Sequence, residues 1–333
     1  MTLIHDAQSM NASLRQRLSR GEFFALGLAV GAVGVFLWLS PTLSFTFFDF
    51  KIYLNTAHGD FNGYYYGYWV LPIFAALAKL PLAVSYVLWG SLNILGIFFA
   101  ARVFGGKAPL ALISYQMFYT LIYGGISGVI VGGLALCWWG LVNRKWDMSG
   151  LGIALASAKY QLGIPGILLL LFTADISWKD RLRVLVVPVL VWAASLFLYP
   201  GWPFEAINNI LNAPPNFNGS ISLWRWLGPW VLLLWVPPLL LRLPTQQRVL
   251  ALAAATGLAL PYFQQSDLLF LLVLPIGWVG LLGNLGYLLS VYGWVALQML
   301  ALLPLVVYCR ALLPACTSLI SRFLNLRSLN DSA

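Results

Sequence analysis

Apolar stretches long enough to cross a bilayer recur from one end of this chain to the other, separated by short basic clusters. A spanning helix needs about 20 mainly apolar residues. The chain has 333 residues, 61% hydrophobic and 9% charged, against roughly 25% charged in an ordinary soluble domain, and this excludes a soluble enzyme. The length accommodates about ten to twelve crossings and leaves little for an extramembrane domain. The expected fold is therefore all-α, a polytopic membrane bundle with two larger external loops. The net charge of +9 is dispersed between apolar runs without a continuous basic face, so it marks topology and no nucleic-acid surface.

Basic residues concentrate on the cytoplasmic side of membrane proteins. Arg15, Arg17 and Arg20 precede the apolar run Phe23 to Phe45, which places residues 1–22 in the cytoplasm as a retained tail. The polar, aromatic stretch about 46–84 is then an external loop. Ser85–Phe104 returns inside to Arg102 and Lys107, Ala108–Tyr123 and Ser127–Val142 make a hairpin with Gly124-Gly125 at its outer tip, and Arg144-Lys145 mark the return. Ser149–Phe172 has basic flanks on both sides, so it must fold as two short, broken helices with Lys159 between them, facing a cavity. Val184–Tyr199 leads to a second external loop, 200–225. Later spans follow over Trp226–Leu241, Val249–Phe263, Leu268–Leu282 and Tyr287–Tyr308, completing a membrane domain over 23–309, with residues 310–333 as a tail whose side stays open. Cys137, Cys309 and Cys316 have no metal or redox spacing and read as small core residues.

Few acids are available for chemistry on the external side: Asp49, Asp60, Glu205 and Asp267. Asp49, in Phe47-Phe48-Asp49-Phe50, sits at a partly dry boundary that raises a carboxyl pKa and suits a general base. The competing reading makes it a helix end or an exposed partner of Lys51. Asp60, in a Gly- and Asn-rich turn, reads as a turn former, and Glu205 as a solvated loop residue. Lys159 near mid-membrane costs about 2.5–3.5 kcal/mol on insertion scales and needs a partner, a cavity or a substrate. No acid lies near it in sequence; it either snorkels or meets an anion, with lipid phosphates the obvious class. Arg225, between Trp224 and Trp226, is a second phosphate contact or an interfacial anchor. The run Tyr64-Tyr65-Tyr66-Gly67-Tyr68-Trp69 is an aromatic belt or a sugar-stacking surface. Gln264-Gln265-Ser266-Asp267 after Pro261 hydrogen-bonds a polar substrate or makes a short turn. The sequence carries no Walker loop, Cys/His metal cluster, nucleophile elbow or dinucleotide fingerprint. The sequon Asn218-Gly219-Ser220 falls in the second loop.

These motifs, in this order, resemble the GT-C type of integral-membrane glycosyltransferases, in particular the polyprenyl-phosphate-mannose-dependent α-mannosyltransferases of the family 87 kind. The resemblance rests on Asp49 with Tyr53 four residues on, the patch Tyr64–Tyr68, and Pro72 and Pro81 around a short amphipathic segment. Further support comes from Val87-Leu88-Trp89 with Asn93, Ala158-Lys159-Tyr160-Gln161 with Pro165, Asn218–Leu223, and Leu260-Pro261-Tyr262-Phe263. It implies a bundle of about eleven spans whose first external loop carries the catalytic Asp49 as base. It also implies a lipid-linked sugar donor whose phosphate Lys159 contacts, with Tyr53, Tyr64, Tyr66 and Gln161 toward the substrate. Relatives often place a His after the late Pro-Tyr turn, where this chain has Gln264, Gln265 and Asp267, so the second catalytic partner stays open.

The expected function is transfer of a hexose, mannose by resemblance, from a polyprenyl-phosphate donor to an external lipid or glycan acceptor. One carboxylate without a paired nucleophile suggests inversion by direct displacement. No cofactor is expected; participation of a divalent ion is undecided. The expected location is the plasma membrane, with the N-terminus cytoplasmic and the active site external. Two competitors stand beside this reading: a transporter or lipid flippase with its site around Lys159, and a non-catalytic subunit of an envelope assembly.

Overall fold

The structure is a computed structural model that describes residues 7–43, 46–61, 63–212 and 220–330. Among these the chain is helical throughout, and its one β-type pairing is the isolated bridge between Ser220 and Gln264. It is an all-α polytopic membrane protein. The helices in chain order begin with α1 (Ala7–Arg15), α2 (Arg20–Leu39), α3 (Phe48–Ala57), α4 (Leu71–Leu77), α5 (Leu82–Phe104), α6 (Ala108–Leu112), α7 (Tyr115–Tyr123) and α8 (Ser127–Val142). Then come α9 (Trp146–Ser157), α10 (Tyr160–Thr173), α11 (Trp178–Leu198), α12 (Trp202–Asn212), α13 (Trp224–Leu227), α14 (Val236–Leu240) and α15 (Thr245–Ala259). The last are α16 (Leu269–Leu272), α17 (Leu285–Leu289), α18 (Trp294–Leu297) and α19 (Leu302–Asn330).

Long helices form where the apolar run is unbroken. Among the described residues, Arg20–Leu39, Leu82–Phe104, Trp178–Leu198 and Val295–Ala315 are long and apolar enough to cross a membrane. A fifth crossing exists if α7 and α8, bent by 116° across a short break, count as one span. The sequence predicts ten to twelve crossings; the other apolar stretches are instead short or interrupted. Helix α10 has 14 residues, about 21 Å at 1.5 Å per residue, short of a hydrocarbon core of about 30 Å. The later spans break into 3₁₀ turns at Gly228–Trp235 and Gly277–Asn284. The two stretches read as external loops carry short helices: the first holds α3 and α4, the second α12. The N-terminal tail carries α1, with Met10 buried, and α19 runs unbroken through the tail to Asn330. Asn218 and Gly219 of the sequon lie outside the described residues.

Two polar contacts define one end of the bundle. Ser19 and Glu22 form a capping box at the start of α2. The Glu22 carboxylate also accepts from Arg102 Nε and Nη2 at 3.0 and 2.9 Å, near the end of α5. The N-terminus of α2 and the C-terminus of α5 therefore lie at the same level. At the opposite end are the start of α3, the start of α5 and the α7–α8 elbow: Tyr86 donates to Leu121 O, and Trp89 Nε1 donates to Gly124 O at 2.9 Å.

Between the ends, small residues let backbones touch. A methyl group built on Gly132 would lie 2.8 Å from Gly96 Cα, and one on Gly152 would lie 2.6 Å from Gly133 O, joining α5 to α8 and α8 to α9. Lipid tails are as apolar as leucine side chains, so close packing of this kind holds membrane helices together where the hydrophobic effect does not.

Candidate active site

Five segments meet at the α3 end of the bundle. The first is the start of α3. Its entry is fixed from outside the helix, by the Phe47 N–H donated to Ile122 O at 2.8 Å and by Phe47 in the left-handed region, φ 60. Asp49 follows in the first helical turn, half-buried, and Phe50 beyond it is fully buried.

The second segment is the α7–α8 elbow. Gly124 ends α7 with φ +71, and a methyl group on it would lie 2.5 Å from Phe50 Cβ. A methyl group on Gly125 would lie 3.6 Å from Asp49 Oδ2. Glycine at 124 supplies both the positive φ and the space for α3. Neither glycine drew attention in the sequence beyond its place at a hairpin tip.

The third segment is the break between α9 and α10, as the basic flanks predict. The chain turns at Ala158-Lys159, with Gly163 so close to Ala156 that a methyl group on it would lie 1.9 Å from Ala156 O. Lys159 is 2% exposed. The tyrosine-rich loop, the fourth segment, docks on this break: Gly67 N–H donates to Ala158 O at 2.8 Å and Trp69 Nε1 to Ala154 O at 2.7 Å.

The fifth is the turn after Pro261. Ile221 N–H donates to Phe263 O and Leu223 N–H to Leu258 O, both at 2.9 Å, which ties residues 220–223 to it. Gln264 and Asp267 cap the 3₁₀ turn Gln265–Leu268 reciprocally, with the Gln264 N–H donated to Asp267 Oδ2 at 3.0 Å.

The acid that no sequence neighbour of Lys159 offers comes from this fifth segment, 108 positions away. Lys159 Nζ donates to Asp267 Oδ1 at 2.6 Å, and both side chains are almost entirely buried. Ser127, at the start of α8, joins the pair, with Oγ 3.2 Å from Asp267 Oδ1 and 3.4 Å from Lys159 Nζ. Ser266 Oγ lies 3.2 Å from Ser127 Oγ. A lone buried charge is far more costly than a paired, hydrogen-bonded one, so the pair explains how Lys159 is accommodated. Nothing in the sequence around Ser127 announces this role.

Burial pushes the Asp49 carboxyl up to about 6, and the Lys159 ammonium pulls in the other direction. Asp49 and Lys159 are thus within electrostatic reach of one another. Asp49 is also within electrostatic reach of Tyr66, Tyr119, Tyr123 and Tyr262. A carboxyl tuned this way is ionised at neutral pH yet a stronger base than a solvated aspartate.

The remaining predicted residues separate into those at the site and those behind it. Tyr66 is half-buried, with its ring edge-on to Tyr53 and Tyr64. Tyr64 is fully buried and donates to Gly67 O at 3.1 Å, a packing position that shapes the loop. Tyr53 is likewise fully buried, against Phe74, Trp89 and the two tyrosines. Gln161 Oε1, Gln265 Oε1 and the Tyr160 hydroxyl are buried without a hydrogen-bond partner among the described residues. Unpaired buried acceptors of this kind await a ligand's donors. Gln264 Nε2 donates to the Tyr262 hydroxyl.

Arg225 is exposed on α13, just beyond the segment tied to the Pro261 turn. Asp60 lies in the turn after α3, its N–H donated to Asn55 O. Glu205 is on α12 and accepts from the Tyr68 hydroxyl at 3.1 Å, so it holds the tyrosine loop in addition to facing solvent. Among the described residues no three His, Cys, Asp or Glu side chains gather where they could hold a metal ion.

Residues 64–211 match the family model described as Glycosyltransferase family 87. The matched stretch carries the tyrosine loop, the α7–α8 elbow and Lys159, and stops short of Asp49 on one side and Asp267 on the other. With the apolar helices, the match supports a membrane glycosyltransferase. No curated protein and no solved structure matches the chain.

Proposed function

We propose that the protein transfers a hexose, mannose by the resemblance of its motifs, from a polyprenyl-phosphate donor to a hydroxyl of a lipid or glycan acceptor on the external face of the plasma membrane. Asp49 is the general base. The observation that carries this reading is Asp49 itself, a half-buried carboxylate within electrostatic reach of the Lys159 ammonium where five segments converge. The acceptor oxygen forms a bond to the sugar's anomeric carbon as the bond from that carbon to the phosphate oxygen breaks. The hydroxyl proton passes to Asp49, and polyprenyl phosphate departs as an anion. With a single carboxylate at the reacting face, displacement inverts the anomeric centre.

Lys159 has three N–H donors. One goes to Asp267 and one points toward Ser127, which leaves one for the donor's phosphate. Asp49, Asp267 and Lys159 together carry a net charge of −1 when all are ionised, so a phosphate at this site needs a second cation. Arg225 takes that role. An apolar groove of about 460 Å³ between α10 and α15 begins at Pro165, six residues beyond Lys159, and continues past Leu169 and Phe172. Its position suits the donor's polyprenyl tail.

The test is transfer of labelled mannose from polyprenyl-phosphate mannose by purified protein in vesicles, with Asp49→Asn compared to wild type. A new glycosidic product from wild type and loss of it in a folded Asp49→Asn protein is the expected result. Full transfer by that variant refutes the base. The break at Lys159 also suits a transporter; passage of the lipid-linked sugar across the vesicle without a covalent product would favour that reading.

A further inference from the structure

A second cavity is walled by α7, whose Tyr119 and Tyr123 lie within electrostatic reach of Asp49. It has a volume of about 530 Å³ and is lined by Phe36 of α2, Phe118, Tyr119 and Tyr123 of α7, and Tyr287 and Ser290 near α17, within the size range of small-molecule sites. Tyr123 in its lining precedes Gly124 and Gly125, and a methyl group built on Gly125 would lie 3.6 Å from Asp49 Oδ2. The lining aromatics pack on one another: Tyr119 and Tyr123 are tilted with ring centroids 4.4 Å apart, and Tyr115 and Phe118 meet Tyr287 edge-on at 5.4 and 6.1 Å. Gln265 makes a hydrogen-bond contact with Tyr119, and its Oε1 is buried without a partner. At the mouth, Val291 and Tyr292 are exposed.

Aromatic rings with hydroxyls at their edges match a pyranose, which presents an apolar C–H face and a rim of hydroxyls. We infer that this cavity is the acceptor subsite, taking a carbohydrate whose ring stacks on the Tyr119–Tyr123 face and whose attacking hydroxyl is delivered past Gly125 to Asp49. The assignment rests on the transferase reading above. It separates the two substrates on either side of the reaction centre, with the donor beside Lys159 and the acceptor beside α7.

The experiment measures equilibrium binding of tritiated octyl α-mannopyranoside to the full chain in nanodiscs, with free mannotriose as competitor. Ser290→Trp fills the exposed rim without touching the core. Leu190→Trp, exposed on α11, is the control. Ser290→Trp is expected to weaken binding at least tenfold, Leu190→Trp to bind as wild type does, and mannotriose to displace the probe. Unchanged binding in Ser290→Trp, equal loss in both variants, or failure of mannotriose to compete would overturn the assignment. Binding is read separately from transfer: wild type that binds the probe but makes no product from polyprenyl-phosphate mannose sinks the transferase reading and leaves the carbohydrate cavity standing.

Discussion

Lys159 and Asp267 form a 2.6 Å ion pair in the interior of the protein. They come from a helix break and a 3₁₀ turn that are remote in sequence. Ser127 touches both, so the α9–α10 break, the start of α8 and the Pro261 turn are held at one point. The pair serves the fold as much as the site, because it fixes the broken helix junction against which the tyrosine loop docks through Gly67 and Trp69.

Removing one partner leaves the other charged and buried. Asp267→Ala and Lys159→Met are each expected to cost about 3–5 kcal/mol, the usual penalty for breaking a buried pair. The double variant Lys159→Met/Asp267→Leu, which removes both charges, should recover most of that loss, and all three variants should lose transfer. Denaturant titration in detergent checks the stability order; a double variant less stable than both singles would contradict it.

Transfer should depend on pH through Asp49. Its carboxyl, raised to about 6, is protonated below that value and unable to accept a proton, so the rate should rise as pH passes through about 6 and level off above it. The sign for stability is opposite. Between the ordinary value of 3.8 and about 6 the folded protein binds this proton more tightly than the unfolded chain. This group's contribution to stability therefore falls as pH rises through that window. A rate profile flat from pH 5 to 8 under single-turnover conditions would contradict the assignment of the base.

Gly124 and Gly125 offer a paired test of how Asp49 is placed. Gly124→Ala puts a side chain at φ +71 and 2.5 Å from Phe50 Cβ. The strained backbone costs about 1–2 kcal/mol and the displaced neighbour about 1–3 more. Gly125→Ala meets only ordinary contacts at 3.6 Å and beyond. Melting temperature should drop for the first and stay close to wild type for the second; equal drops would mean the elbow does not set α3.

Arg225 should act on donor binding and leave the fold intact, because it is exposed on a short helix. Arg225→Gln is expected to raise KM for the polyprenyl-phosphate donor about tenfold with a smaller effect on kcat, since a lost charged hydrogen bond is worth about 1.5–3 kcal/mol. A variant with wild-type donor KM would return Arg225 to the role of interfacial anchor.

The sequence by itself determined the solvent of the fold and the chemical alphabet of the site. Low charge and long apolar runs require a membrane bundle, because only helices satisfy their own backbone in hydrocarbon. Basic flanks on both sides of Ser149–Phe172 require a break, and the structure has one at Lys159. The few external acids left Asp49 conspicuous. What the tertiary structure alone decided is pairing. Asp267 finds Lys159, Ser127 joins them, Gly124 makes room for Phe50 and sets Asp49, and Tyr64 and Tyr53 turn inward. Hydropathy measures how apolar a stretch is and not whether its helix stays unbroken for about 30 Å, so among the described residues some apolar runs form long helices and others short or interrupted ones. Local pattern fixes which residues are forced out of water. Contacts between segments a hundred positions apart depend on the angles at which helices bend and cross, and those are set only when the whole bundle packs.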